Sequence, residues 1–475
     1  MRKKKLIILV LLGMYVALSG CQLPMKGLRQ AKKNVPASYK GILDTLTIGA
    51  MKWRDFYKDP HLVALIDTAL SHNQELNIMR QEVEVARYEV KERKAEYLPF
   101  VYGGMVGETE KPGLYTRNGA VEHQLEGVSG HPFPEPMQNY GLGLSATWEL
   151  DIWRKLRNAK DAAFQRFLAT ENGKNFLVTN LVAEIAEAYY ELMALDNLLD
   201  IIETNSEIQG DALRVVRQQM QSAKVTQLAV NRFEAQWLNT QNRAFAIRQR
   251  IVEVENRLRY LTGQYGMEIL RSSANFLNLP MDSLRAGVPS QLLIYRPDVR
   301  QAERELAASG LDVKVARAQF YPSLGIRAGV GLQAFNPSLF MNPGSLIFNL
   351  AGDLVAPLVN FNALKAALNK AKARQVMAAY RYEQSLLNAY VDVLNQLAKI
   401  ENFENSFQKK SREVEILKQS ITIANNLFNS ARADYAEVLL TQREALEAKM
   451  ELVEIRLKQL QARIHLYRAL GGGWR

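Results

Sequence analysis

Residues 141–155 read GLGLSATWELDIWRK, and the periodicity of this stretch decides the fold. Leu142, Leu144, Ala146, Trp148 and Leu150 fall on one parity and Gly143, Ser145, Thr147, Glu149 and Asp151 on the other, which is the period of a strand. One face is apolar, and the other carries small, hydroxyl and carboxylate side chains. That division suits a strand of a membrane-spanning barrel, with lipid on one side and a wet lumen on the other. The period then turns helical through Trp153, Leu156 and Ala159, so a barrel strand feeds directly into a helix.

Working outward, helical periodicity runs from Pro60 to Tyr97 and stops at Pro99. Phe100, Tyr102, Gly104 and Val106 then alternate with Val101, Gly103, Met105 and Gly107 as a first strand. A Gly- and Pro-rich loop without period, about 108–139, leads back to the strand quoted above. Two long helices are expected next, about 151–205 and 207–261, closed by Thr262-Gly263; at 1.5 Å per residue each is on the order of 75 Å long. These are coiled rods.

The pattern then repeats. Ala95-Glu96-Tyr97-Leu98-Pro99 is echoed by Ala318-Gln319-Phe320-Tyr321-Pro322. Leu324, Ile326, Ala328, Val330 and Leu332 alternate with Gly325, Arg327, Gly329, Gly331 and Gln333, and Leu346, Phe348, Leu350 and Leu354 with Asn349, Ala351 and Asp353. Pro357 ends the fourth strand, and rods are expected at about 362–405 and 406–470. This last pair carries Phe403, Phe407, Val414, Leu417, Ile421, Ala424, Phe428, Ala431, Tyr435 and Val438 in alternating steps of three and four broken only by Lys410, the signature of supercoiled helices. The expected organisation is therefore an arm at 21–59, a first repeat at 60–295 with its β-hairpin at 98–150, and a second at 296–475 with its hairpin at 322–356. On the helices alone, a coiled-coil stalk fits equally well.

The first residues mark export. Arg2, Lys3, Lys4 and Lys5 precede an apolar run ending in Leu18-Ser19-Gly20-Cys21, so residues 1–20 read as a signal peptide. The last four residues resemble a bacterial lipobox, which implies that Cys21, the only cysteine, becomes a lipidated first residue. A lone cysteine excludes a disulfide framework. The net charge of +11 includes the four signal cations, leaving about +7 spread along helices among glutamates; this is the look of solvated faces rather than a nucleic-acid surface. No internal apolar run is long enough for a spanning helix, so strands are the only route through a bilayer.

Four strands cannot close a barrel, because open edges are forbidden in lipid. Two copies would give eight strands, a barrel filled by its own side chains; three give twelve, and the glycines on the inner parity favour that open lumen. The fold class is mainly α with a membrane β-barrel: a trimer with a twelve-stranded barrel continued by a long coiled α-helical barrel, each protomer holding two repeats.

The chain resembles the TolC-like outer-membrane factor family, in its efflux lipoprotein branch. The residues that carry the likeness are the lipobox, Trp148-Glu149-Leu150-Asp151-Ile152-Trp153, Arg296-Pro297-Asp298-Val299 and Leu466-Tyr467-Arg468-Ala469-Leu470-Gly471-Gly472-Gly473-Trp474. The resemblance implies a homotrimeric duct in outer-membrane lipid that reaches into the periplasm. It also implies docking on a periplasmic adaptor and an inner-membrane transporter of the RND type, and passive export of drugs or other toxic small molecules. The family's tip motif, D-V-L-D-A, falls on Glu437-Val438-Leu439-Leu440-Thr441. Glu437 keeps the first carboxylate, and Leu440 replaces the second acidic residue. Arg443 matches a basic position of some relatives, while Phe428 and Ala431 stand where relatives often have Tyr and Gly. A pore constriction of Glu437, Leu440 and Arg443 is expected, with carboxylates favouring cations and leucines forming an apolar gate.

No catalytic group, metal site or cofactor is expected beyond the lipid on Cys21, since His61, His72, His123, His131 and His465 lack metal-ligand spacing and no phosphate loop is present. The exit channel of a type I protein-secretion system shares this fold, and a lipid-anchored scaffold without a pore is the reading from a different class.

Overall fold

The computed structural model describes residues 28–39, 46–127, 130–281, 285–357, 359–430 and 432–475; the expected signal peptide and Cys21 lie outside the described residues. Helices α1 (Pro60–His72) and α2 (Gln74–Ala95) lead into strand β1 (Phe100–Glu110). A loop holding a short helix, α3 (Arg117–Gln124), connects to β2 (Met137–Leu150). Two rods follow, α4 (Lys155–Gln221) and α5 (Gln227–Thr262). The second repeat is α6 (Pro297–Ala318), β3 (Ser323–Ala334), β4 (Leu346–Val355), α7 (Phe361–Asn429) and α8 (Tyr435–Ala469).

The strands form one antiparallel sheet in the order β1-β2-β3-β4. Its central pairing joins the two repeats, with Leu142 opposite Leu332 and Leu150 opposite Leu324. The outer strands, β1 and β4, each offer an unpaired edge within the protomer. At the strand-to-helix turn, Arg154 adopts a left-handed conformation. Asp151 accepts the backbone N–H groups of Leu156 and Arg157, each at 2.9 Å, and so caps α4. Burial pushes its carboxyl up, but those bonds and the Arg157 guanidinium outweigh burial and hold it below the ordinary range. Trp148 donates to the Tyr97 carbonyl at 2.9 Å, and Trp153 donates to that of Pro322 at 2.8 Å while stacking on Tyr321. Trp148 thus ties the end of the first hairpin to the chain that enters it, and Trp153 ties the start of α4 to the chain that enters the second.

Several rod boundaries differ from those expected. The expected helix at 60–97 breaks at Asn73, a buried cap that accepts the Leu76 N–H at 2.8 Å and donates to the Leu261 carbonyl at 2.9 Å. The rod expected to end near residue 205 runs to Gln221, about 100 Å at 1.5 Å per residue, and turns over 222–226 with Ala223 at positive φ. Likewise α7 passes through 405 and 406 without interruption and ends at Asn429. Phe403 and Phe407 hold it there: the Phe403 carbonyl accepts from Gln459 at 3.3 Å, and the Arg456 guanidinium lies over the Phe407 ring. Packing against the neighbouring rods carries both helices through the expected breaks. The arm, expected to be irregular to residue 59, takes short helical turns at Ile48–Ala50 and Trp53–Phe56. The loop expected from 108 is shorter than that, since β1 and β2 stay paired out to Glu110 opposite Met137.

The core sits at mid-length, where both repeats, the later part of the arm and the C-terminal segment meet. Arg296, only 7% exposed, donates to both Asp298 carboxylate oxygens at 2.9 and 2.6 Å. It also donates to Asp392 at 3.3 Å and to the Ala469 carbonyl at 3.2 Å. Burial opposes its charge, yet Asp298 and then Asp392 more than offset this and hold it above the ordinary value. Tyr467 stacks on Phe56 at 4.1 Å and donates to the Met51 carbonyl at 2.7 Å, and Trp474 donates to the Tyr295 carbonyl at 3.2 Å. Gly471, at φ +86°, lies where a Cβ would come within 2.4 Å of the Tyr295 carbonyl oxygen.

Replacing Arg296 with Ala leaves two carboxylates and a carbonyl without their shared donor, so a loss of about 3–5 kcal/mol is expected in denaturant unfolding followed by helical circular dichroism. Arg296→Lys, which keeps the charge without the fork, is expected to fall between this variant and the parent.

Candidate functional site

The sheet sorts its side chains as a bilayer wall requires. Residues directly opposite in antiparallel strands share a face. By register, Met105, Leu142, Leu332 and Leu346 share one face with Gly103, Leu144, Val330 and Phe348. Met105 (82% exposed), Phe348 (83%) and Leu350 (77%) have no cover within the protomer, so this face suits hydrocarbon rather than water. The opposite face carries Ser145, Thr147, Glu149, Arg327, Gln333, Asn349 and Asp353. Across it runs a row of three glycines, Gly104, Gly143 and Gly331. A Cβ on Gly331 would come within 2.6 Å of the Leu142 carbonyl oxygen, so the close approach of β2 and β3 requires glycine there. Polar groups on this face pair with each other: Gln333 donates to Asn139 at 2.8 Å, Arg327 lies 3.7 Å from Asp353, and Lys155 pairs with Glu149. The alternation in β1 alone left its two faces undecided; the register puts Phe100 and Tyr102 on the polar, lumen-side face.

At the far end of the rods the two helical turns come together. Leu213, Val216, Ala229, Val230 and Phe233 form a small cluster, and Tyr435 and Leu439 of α8 pack against it. The turn after Asn429 places Glu437 in the first turn of α8, where the helix N-terminus favours a carboxylate. Val438, Gln442 and Ala445 face inward and are buried. Glu437, Leu440 and Arg443 are exposed and spaced by three residues, so the structure gathers all three on one ridge of one helix. The Thr441 hydroxyl donates to the Glu437 carbonyl at 2.8 Å and so binds this ridge to its own helix. The contact between the two tips was missed in the sequence, although the phase of Tyr435 and Val438 in the seven-residue repeat pointed inward.

Among the described residues no group of His, Cys, Asp and Glu could hold a metal ion, and no helix is long and apolar enough to cross a membrane. His465 lies 3.1 Å from Glu187 at the core. Burial, then Arg468 and Lys399, push its pKa down to about 4, so it is neutral at pH 7. The arrangement is that of a two-faced wall and a packed tip.

The model of a family described as Outer membrane efflux protein matches residues 65–264 and 288–472. The cation efflux system protein CusC of Escherichia coli O6:H1 is 27% identical over 464 residues, covering 97% of each chain. The solvent efflux pump outer membrane protein SrpC of Pseudomonas putida is 26% identical over 448 residues, 94% of this chain and 93% of that one. Among solved structures, a CusC channel superposes with a TM-score of 0.83 at 25% identity, over 95% of this chain and 100% of the other.

Truncating Phe233 to Ala opens a cavity in the tip cluster and is expected to weaken it by about 3–5 kcal/mol. Faster hydrogen exchange should follow at 227–237 and 435–442, with the mid-length core unchanged; uniform protection across both regions would show that the two tips are not coupled.

Proposed function

Given that the chain belongs to the outer membrane efflux protein family and serves as an outer-membrane exit duct for efflux, we propose that its working form is a lipid-anchored homotrimer. Three sheets close edge to edge into a twelve-stranded barrel, and the rods continue it as a tube into the periplasm. There the tube docks on an adaptor protein and receives small molecules, drugs or other toxic compounds, from an inner-membrane transporter of the RND type. It conducts them passively. The observation that carries this reading is the pair of unpaired edges on a sheet with one apolar face. In hydrocarbon each unmade backbone hydrogen bond costs several kcal/mol, so β1 of one protomer must pair with β4 of the next.

The arm supports an anchor at Cys21. Arg29 donates to both oxygens of Glu383 at 3.0 Å, exchanges two hydrogen bonds with Gln375, and lies over the Tyr380 ring. Lys33 pairs with Glu303 at 2.7 Å, and Leu28 lies beside Gly310, so the arm climbs α6 toward the barrel as residue numbers fall. The seven residues 21–27 can span at most about 25 Å. Helix α6 has only about 12 Å left to run from Gly310 to Ala318, so a lipid on Cys21 can reach the bilayer.

At the tip, three Glu437 carboxylates form a ring that favours cations, three Leu440 side chains an apolar gate, and Arg443 flanks it.

Purified protein is expected as heat-sensitive trimers that pass single-channel currents in planar bilayers; a monomer without current would sink the duct. Glu437→Gln should lower the cation-to-anion permeability ratio several-fold, and an unchanged ratio would remove the charge ring. Cys21→Ser should abolish incorporation of labelled palmitate in cells.

A further inference from the structure

Phe100 and Tyr102 are large aromatic side chains on the face where a water-filled duct calls for polar or small ones. The register opposes them to Thr147 and Ser145, and their rings lie 6.0 Å apart. They are 69% and 48% exposed, so nothing in the protomer buries them. The second repeat shows what the position needs structurally: counting from the matching prolines, Pro99 and Pro322, the equivalent residues are Ser323 and Gly325. A strand at this place in the fold forms without aromatic rings.

Their setting is uncharged in sum. Arg327 and Asp353 neighbour each other, as do Lys155 and Glu149, so the charges near this end of the face are matched. The four strands contain no histidine or cysteine, and of their two methionines, both soft donors, Met105 lies on the apolar face and Met137 at the far end of β2, opposite Glu110, so no soft donor stands beside the pair. The pair also lies at the rod end of the barrel, one residue inward from the level of Trp148. Cargo leaving the tube meets it first.

We infer that Phe100 and Tyr102 form an aromatic contact site in the lumen, repeated at each of three subunit boundaries, and that its ligands are planar, apolar or amphipathic organic molecules in transit. The inference rests on the duct reading. Rings at a wet surface hold such molecules weakly, each changing residence about 2- to 5-fold, which is brief enough to leave passage open.

The test uses full-length trimers in planar bilayers with two probe cations of equal charge, tetraphenylphosphonium and tetrabutylammonium. Aromatic probe added on the periplasmic side is expected to interrupt the current for several-fold longer than the aliphatic one. Phe100→Ser and Tyr102→Ser should each shorten that residence about 2- to 5-fold at unchanged open conductance, whereas Phe100→Tyr should preserve it. Because serine could also loosen the seam between subunits, Phe100→Leu and Tyr102→Leu keep the bulk and remove the ring; they too should lose the discrimination. Equal residence of the two probes, or residence unaffected by leucine in intact trimers, overturns the site while leaving the duct standing. A protein that passes no current overturns both.

Discussion

The constraint on which the architecture depends is that a sheet edge cannot be left open in hydrocarbon. Every backbone N–H and C=O there must be paired within the protein, because the surroundings offer no partner. The protomer meets this for β2 and β3, each paired on both sides, and leaves it unmet for β1 and β4. Its apolar face is uncovered as well, with Phe348 and Leu350 pointing at nothing in the chain. Neither feature is tolerable in a protein that ends at its own surface. Both are ordinary in one that closes a ring with its copies.

A second requirement comes from the repeat itself. Two copies of helix, hairpin, helix and helix in one chain have to stay in register along rods as long as about 100 Å. The fold meets this at mid-length, where Arg296 opens the second repeat and reaches the last turn of the final helix through the Ala469 carbonyl. Asp392 ties α7 to the same guanidinium, and Tyr467 clamps the arm through Phe56 and Met51. The stretches 296–299 and 466–474 are far apart in sequence, and they are parts of one knot. That explains the glycines at 471 and 472. Gly472 faces the Tyr467 ring and Gly471 the Tyr295 carbonyl, so side chains there would push the knot apart.

The sequence was most legible where one period dominates. Strict alternation in β2 and β3 gave their faces and nearly their ends, because polarity there tracks lipid and water. It was ambiguous in β1, where aromatic residues occupy one parity and Val101 and Met105 the other, so that polarity does not separate the faces; only the register with β2 does. Rod ends were misplaced for a related reason. The burial of Leu213 and Val216 carries α4 on past residue 205, and the Arg456 guanidinium over the Phe407 ring carries α7 past residue 405; both contacts reach other helices and lie beyond local pattern. Conversely, apolar periodicity ran across Asn73 and hid a true break, whose partner, the Leu261 carbonyl, lies 188 residues away. At the tip, Glu437, Leu440 and Arg443 were singled out by the resemblance of 437–441 to the family's motif, while the cluster that supports their helix draws on α4 and α5 and was beyond reach of local pattern.

The unequal distribution of packing along the rods bears on how such a duct can move. The mid-length core joins the arm and all the long helices through stacked aromatics and a buried guanidinium network, so opening it would expose all of them at once. The tip is held by a handful of apolar side chains, with Tyr435 and Leu439 as the only α8 residues in the cluster. Local opening is cheapest where buried contacts are fewest. The tip is therefore cheaper to loosen than the knot. In the sheet β2 and β3 are held by ladders on both sides, so its part in transport lies in the chemistry of its polar face.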